Sequence, residues 1–167
     1  MGGLDRIDAA DCLVVQARGE AAWDRCPPAV RWYWEQGRPV VAIGFGGHDA
    51  PGWRVMVRDV FGAEIGPSQV RSQRVLVRPA ASALGHPVLQ GVAPLISSAG
   101  LRFVATPSEA TVPLLIGTSD DHTEPVAWIR ACPGGQSFLT SLGHPADFRE
   151  PSFRRLLVNA VLAAARP

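Results

Sequence analysis

Residues 39–61, PVVAIGFGGHDAPGWRVMVRDVF, are the stretch that decides the predicted fold. It opens with an apolar run at 40–43, passes through a glycine-rich turn at 44–47 and continues as a helical pattern at 51–61. A short, continuous apolar run is typical of a strand buried on both faces of a parallel sheet. Because a tight turn and a helix follow it, the stretch predicts a strand–turn–helix unit of an α/β protein.

The sequence before this unit repeats the pattern. Residues 10–17 contain a second buried apolar run, and a helical stretch follows from Pro27 and Pro28 to a C-terminal Gly37. Strands that alternate with helices indicate βαβ units with right-handed crossovers. The first half of the chain therefore predicts a mostly parallel sheet with helices on both faces.

The second half is poorer in helices. A β-hairpin is predicted from residues 124–130 and 136–141, which flank a turn rich in Pro and Gly. A final helix is predicted from Pro151, where apolar residues recur at helical spacing. Further strands are predicted at residues 73–78, 101–105 and 112–117.

Length and charge place limits on the class of protein. A chain of 167 residues suits one hydrophobic core, so residues 1–167 are expected to form a single domain. The 16 Lys and Arg against 15 Asp and Glu leave no basic footprint for nucleic acid or for an anionic membrane. No apolar run approaches the roughly 20 residues of a membrane span, and no signal peptide is evident. The expected location is the cytoplasm.

Neither the cysteines nor the glycine motifs indicate a metal site or a cofactor. Cys12, Cys26 and Cys132 are widely spaced and form no C-x-x-C pair, so we interpret them as reduced thiols rather than metal ligands. The sequence contains neither a dinucleotide-binding G-x-G-x-x-G after a strand nor a phosphate-binding G-x-x-x-x-G-K. No cofactor and no metal is predicted.

Several segments of the chain form a recognisable set of motifs. They are HPVLQG at 86–91, PVAW at 125–128, the Gly-Gly turn at 134–135, FLTSLGH at 138–144 and PSFRRLLVNA at 151–160. Together these segments resemble the ThuA-like (trehalose utilisation) family, most specifically in the last third of the chain, and a weaker similarity covers residues 4–15.

This resemblance implies a fold and a function. The fold would be a three-layer, flavodoxin-like or class I glutamine-amidotransferase-like domain with a mostly parallel sheet, helices on both faces and a C-terminal β-hairpin. The function would lie in carbohydrate metabolism, with a disaccharide or keto-sugar as ligand. Whether the chain is an enzyme or a non-catalytic ligand-binding or protein-interaction module stays open, since one fold hosts many functions.

The sequence departs from the family in three places. It is short at the N-terminus, so either the start of the chain is truncated or self-association or a partner chain completes the sheet edge. Phe45 stands where the family has a polar residue, and residues 96–100 replace an acidic segment. The glycine turn also lacks the cysteine of a glutaminase, so thioester chemistry on glutamine has no nucleophile.

Ligands of doubly wound sheets bind beyond the carboxyl ends of the strands. The resemblance and the strand ends together predict His144, His48 and Asp49 as catalytic residues, with His144 as an acid or base. In the alternative, purely structural interpretation, His144 fixes the last loop through a hydrogen bond and Asp49 caps the N-terminus of a helix. Predicted substrate-binding residues are Gln16, Arg18, Glu20, Trp23, Phe45, Gly46, Gly47 and Asp147. His122 is expected in a hydrated loop.

Overall fold

The computed structural model describes residues 7–16, 26–44, 50–64, 74–101, 108–120 and 122–166. These residues form one seven-stranded sheet and three α-helices. The strands are β1 (Leu13–Gln16), β2 (Val40–Ile43), β3 (Val75–Pro79), β4 (Leu95–Ser97), β5 (Thr111–Ser119), β6 (His122–Cys132) and β7 (Gly135–Thr140). The helices are α1 (Pro28–Glu35), α2 (Pro51–Phe61) and α3 (Pro151–Ala164).

The sheet is mixed and curled, and its strand order is β1-β2-β7-β6-β5-β3-β4. Only the β1–β2 and β2–β7 contacts are parallel, whereas β7–β6, β6–β5, β5–β3 and β3–β4 are antiparallel. The predicted mostly parallel, three-layer flavodoxin-like or class I glutamine-amidotransferase-like fold is therefore wrong.

The connections between strands explain this outcome. A parallel pair needs a crossover of a dozen or more residues, usually a helix, whereas antiparallel strands can be joined by a tight turn. Helices α1 and α2 follow β1 and β2, but β5, β6 and β7 are successive strands joined by two hairpin turns. Because no helix separates β5, β6 and β7 among the described residues, the second half cannot continue the parallel βαβ pattern of the first half.

The hairpin itself is confirmed. β6 and β7 pair in register from Ala127 opposite Thr140 to Cys132 opposite Gly135. The predicted helices at 51–61 and from Pro151 are also observed, as α2 and α3. Residues 102–105 of one predicted strand lie outside the described residues, and the short strand β4 was not predicted.

Two apolar clusters lie on opposite faces of the sheet, because successive strand residues point to opposite sides. Val41 and Ile43 of β2 face α3, whose buried residues include Phe153, Leu156 and Ala160. Neighbouring Val40 and Ala42 belong to the second cluster, with buried side chains of α1 and α2 such as Tyr33, Trp53 and Met56. Each cluster buries enough large side chains to hold its helices on the sheet.

Strand β1 lies at one edge of the sheet and pairs only with β2 among the described strands. Val14 on this strand is 48% exposed. An uncharged edge strand is a template for pairing with another chain. Completion of this edge by a partner stays a prediction.

No helix within the described ranges combines the length and the apolar character that crossing a membrane requires.

Candidate functional site

The three parallel strands end side by side. Gln16 of β1 is in register with Ile43 of β2, and Ile43 is in register with Thr140 of β7. The carboxyl ends of these three strands therefore lie side by side at one edge of the sheet, where ligands of α/β proteins commonly bind. This edge is the candidate site.

Two glycines bring the β2 and β7 ends into direct contact. A Cβ atom on Gly143 would lie 2.6 Å from the Cα and 2.9 Å from the backbone nitrogen of Gly44. Gly143 has a φ of +133° and Gly44 a φ of +71°, both in the region that L side chains rarely adopt. At position 143 only glycine allows the two backbones to approach so closely, so the residue after β2 and the loop after β7 are in direct contact.

His144 follows directly at this contact. Its side chain is exposed, and its Nδ1 accepts a hydrogen bond from the backbone N–H of Ala146 at 3.2 Å. Its own backbone N–H donates to Asp147 Oδ2 at 2.9 Å. The loop therefore holds the imidazole at the sheet edge through one contact of the ring and one of the backbone.

Asp147 is fully buried and links this loop to β4, the edge strand on the opposite side of the sheet from β1. Its carboxylate accepts the backbone N–H groups of Gly143 at 2.8 Å and His144 at 2.9 Å. At the other end it accepts the hydroxyl of Ser97, the last residue of β4, at 2.9 Å to one oxygen and 3.0 Å to the other, and the N–H of the next residue, Ser98, at 3.3 Å. A buried carboxylate is tolerated because charge-assisted hydrogen bonds satisfy it on both sides.

The other predicted residues fall into two groups. Gln16 is exposed at the end of β1, beside the β2 end. The remaining predicted residues lie outside the described residues: Arg18, Glu20, Trp23, Phe45, Gly46, Gly47, His48 and Asp49. The structure thus brings together Gln16, His144 and Asp147 at one end of the sheet.

Sequence reasoning missed a buried carboxylate–imidazole pair at the same end. Glu124 of β6 is 4% exposed, and its Oε2 lies 3.2 Å from His122 Nε2. His122 is the first residue of a strand rather than part of a hydrated loop, so that expectation is wrong. The available signal was the alternation of β6, which places Glu124 on the same side as buried Val126.

Further buried polar side chains gather at this end. Ser97, Ser119, Thr140 and Ser141 are each less than a tenth exposed and lie at or just past the strand ends. Burial of these polar groups costs stability unless each is hydrogen-bonded, and Ser97, Thr140 and Ser141 are hydrogen-bonded to Asp147 or to the Val126 carbonyl. Across the described ranges, no three Cys, His, Asp or Glu side chains are arranged to hold a metal ion.

The cysteines are poorly suited to nucleophilic catalysis. Burial is the main cause that raises the pKa of the Cys12 thiol to about 11, and burial also raises the pKa of Cys26. Both are neutral thiols near pH 7, whereas a catalytic cysteine needs a lowered pKa. Cys132 ends β6, at the hairpin end of the sheet opposite His144.

The raised pKa of Cys12 gives a testable pH dependence. Because the folded-state pKa of about 11 exceeds the usual value of 9.0, the contribution of Cys12 to stability is complete below pH 9 and is lost as the pH rises towards 11. Cys12→Ala should flatten the decline of the unfolding free energy between pH 9 and 11 in urea titrations. Alkylation of Cys12 by iodoacetamide should also stay slow at pH 9 in the folded protein; a rate equal to that of the urea-unfolded chain would contradict this.

Comparisons with known proteins identify solved structures of similar fold. No protein-family model matches the sequence, and no curated protein matches it either. Among solved structures, a cytoplasmic protein from Salmonella typhimurium superposes with a TM-score of 0.70 at 15% identity, over 96% of this chain and 74% of that chain. A ThuA-like protein from Parabacteroides merdae gives 0.67 at 16% identity, over 95% and 71%.

A β-galactosidase from Rahnella sp. R3 also contains a similar region. It superposes with a TM-score of 0.57 at 15% identity and covers 92% of this chain but only 23% of the enzyme. At these identities structural likeness establishes the fold alone. The chain therefore has the fold of the ThuA-like proteins.

Proposed function

We propose that this chain is a ThuA-like domain that binds a sugar, either a disaccharide or a keto-sugar, at the carboxyl ends of β1, β2 and β7. The observation that carries the proposal is the contact of Gly44 with Gly143, which places His144 at the meeting point of two strand ends. The segments that resemble the ThuA-like family, FLTSLGH at 138–144 among them, include this contact. The structural neighbour named as ThuA-like supports the same reading.

The proposed roles follow from position. His144 contacts the reacting or recognised oxygen of the sugar, and Gln16 hydrogen-bonds a hydroxyl from the neighbouring strand end. The adjoining residues of the two loops, His48 and Asp49 in one and Arg18, Glu20 and Trp23 in the other, supply the remaining polar and aromatic contacts. We propose a cytoplasmic location, as the Salmonella typhimurium neighbour's name states for that protein.

A non-catalytic role is the second candidate. It is supported by the Rahnella β-galactosidase, in which a region similar to this chain makes up 23% of a larger enzyme. Phe45 in the glycine turn also replaces a polar residue of the ThuA-like pattern. In this case the domain binds a sugar or a protein without converting it.

Calorimetric titration with trehalose and with an oxidised, keto form of trehalose tests the proposal. We expect binding of at least one sugar, and His144→Ala should weaken it about tenfold, the effect of losing one hydrogen bond to a ligand. His86→Ala is the matched control, because His86 Nδ1 also accepts a backbone N–H two residues on, from Val88 at 3.2 Å, but outside the site.

The outcomes separate the candidates. Turnover of a bound sugar that His144→Ala abolishes supports an enzyme, whereas binding without turnover supports the module. Equal effects of the two histidine variants, or no binding of either sugar, would contradict the proposed site.

A further inference from the structure

We propose that Asp147 is the positioning residue of this site, and that it presents neutral His144 as an Nε2–H hydrogen-bond donor to a ligand oxygen that can only accept, such as a carbonyl oxygen. This inference rests on the proposed function, because it concerns the same sheet edge. It assigns His144 the role of an electrophile rather than a general base, and it assigns Asp147 a role through His144 rather than a contact with the sugar.

The first step is the rigidity of the loop. One oxygen of Asp147 accepts two consecutive backbone N–H groups, those of Gly143 and His144, so the peptide unit that carries the imidazole has a fixed orientation. The same carboxylate is anchored by Ser97 at the end of β4 and by Ser98 directly after it. Because Asp147 is fully buried, water does not compete for these hydrogen bonds.

The second step is the tautomer. In a neutral imidazole one ring nitrogen carries the proton and the other accepts. His144 Nδ1 accepts the N–H of Ala146, and the proton therefore sits on Nε2. For Nε2 to act as a base, the proton would have to move to Nδ1, where it would face the Ala146 N–H. The tautomer that the loop selects is a donor at Nε2.

The third step is the ligand chemistry. An Nε2–H group stabilises negative charge that develops on a carbonyl oxygen, as oxyanion-hole donors do. A hydroxyl oxygen can also accept this hydrogen bond. Its own O–H group, however, cannot donate to Nε2, because a protonated ring nitrogen has no free lone pair. The keto form of a sugar is therefore the better partner for His144 than the parent alcohol.

Two-bond ¹⁵N–¹H correlation spectra of ¹⁵N-histidine-labelled protein test the tautomer directly. At pH 8 the wild type should show His144 as a single Nε2–H tautomer, with the resonance assigned by its absence in His144→Gln. Asp147→Asn should release the loop and give averaged signals of both tautomers. The proposal would be overturned if His144 of the wild type were an Nδ1–H tautomer, or if the His144 signals of Asp147→Asn were identical to those of the wild type.

Two controls separate positioning from general destabilisation. Asn159→Ala removes hydrogen bonds from α3 to the carbonyls of Val88 and Gln90, which do not involve Asp147 or His144, and should leave the His144 signals unchanged. His86 is an internal reference, since its similar bond to Val88 does not depend on Asp147. If Asp147→Asn does not fold, Ser97→Ala, which cuts the anchor on the β4 side, should give a smaller shift towards averaging; no shift would count against the proposal.

Comparison of keto-trehalose with trehalose tests the ligand class. The wild type should bind the keto form about tenfold more tightly, and Asp147→Asn should lose this preference. Tighter binding of the parent alcohol would overturn the electrophile role while leaving the sugar site intact. Absence of binding to both sugars would instead contradict the proposed function, and the tautomer measurement would still decide the role of Asp147.

Discussion

Asp147→Ala should lower the free energy of unfolding by about 3–5 kcal/mol, the range measured when one partner of a buried charged network is removed. The substitution leaves the Ser97 hydroxyl and the N–H groups of Ser98, Gly143 and His144 without the carboxylate that they share. For a domain of this size the melting temperature should fall by roughly 6–20 °C. Thermal and urea unfolding followed by circular dichroism measure both quantities.

Asn159→Ala provides the scale for this effect. Its side chain donates two neutral hydrogen bonds, to the carbonyls of Val88 and Gln90, and its loss should cost about 1–2 kcal/mol. If Asp147→Ala costs no more than Asn159→Ala, the carboxylate does not bridge the last loop and β4 as the hydrogen bonds indicate.

Gly143→Ala should be the second severe substitution. It should lower the free energy of unfolding by about 3 kcal/mol or more, or prevent folding altogether. The new Cβ would lie 2.6 Å from the Cα of Gly44, a backbone atom that cannot rotate away as a flexible side chain could. A φ of +133° adds backbone strain of about 1–3 kcal/mol for any residue other than glycine. Sugar binding should be lost with the contact between the two loops.

Gly85→Ala separates strain from collision. Gly85 also has a positive φ, of +90°, but apart from its two chain neighbours no described residue has an atom within 4 Å of the position that its Cβ would occupy. Gly85→Ala should therefore lower the free energy of unfolding only by the backbone strain of a positive φ, about 1–2 kcal/mol, and should leave sugar binding unchanged. Equal unfolding free energies of the two variants would show that Gly44 and Gly143 are not in contact.

Local patterns predicted the local structure well. Helix α2 is the predicted segment Pro51–Phe61, where Pro occupies the first turn and Gly62 adopts a left-handed conformation at the C-terminal end. Helix α3 begins at Pro151, as its apolar spacing predicts. These features depend on residues within a few positions of one another, so the sequence contains the information that decides them.

Strand partners were predicted poorly. The short β4, of residues Leu95–Ser97, has no periodicity to detect in three residues, and it becomes a strand because it pairs with Val75–Val77 of β3. Whether strands run parallel or antiparallel depends on partners up to about a hundred residues apart in sequence, such as β2 and β7. Propensity carries no information about such partners.

For the candidate site, the sequence by itself determined the chemistry that is available. It supplied His144 after a predicted strand, a glycine-rich turn after another, and no cysteine in that turn. It also indicated the resemblance to the ThuA-like family, whose fold the structural comparisons support.

Only the tertiary structure decided which of these groups meet. The sequence predicts that the ends of β2 and β7 converge, and the structure adds the direct contact of Gly143 with Gly44. The burial of Asp147 between the last loop and Ser97 joins residues whose proximity the sequence did not predict. The physical reason is that strand pairing places the end of β2 beside the end of β7, and the curl of the mixed sheet brings the loop after β7 to the end of β4. Local propensity fixes where strands and helices begin, whereas hydrogen-bond partners and close packing across the sheet fix which side chains share one site.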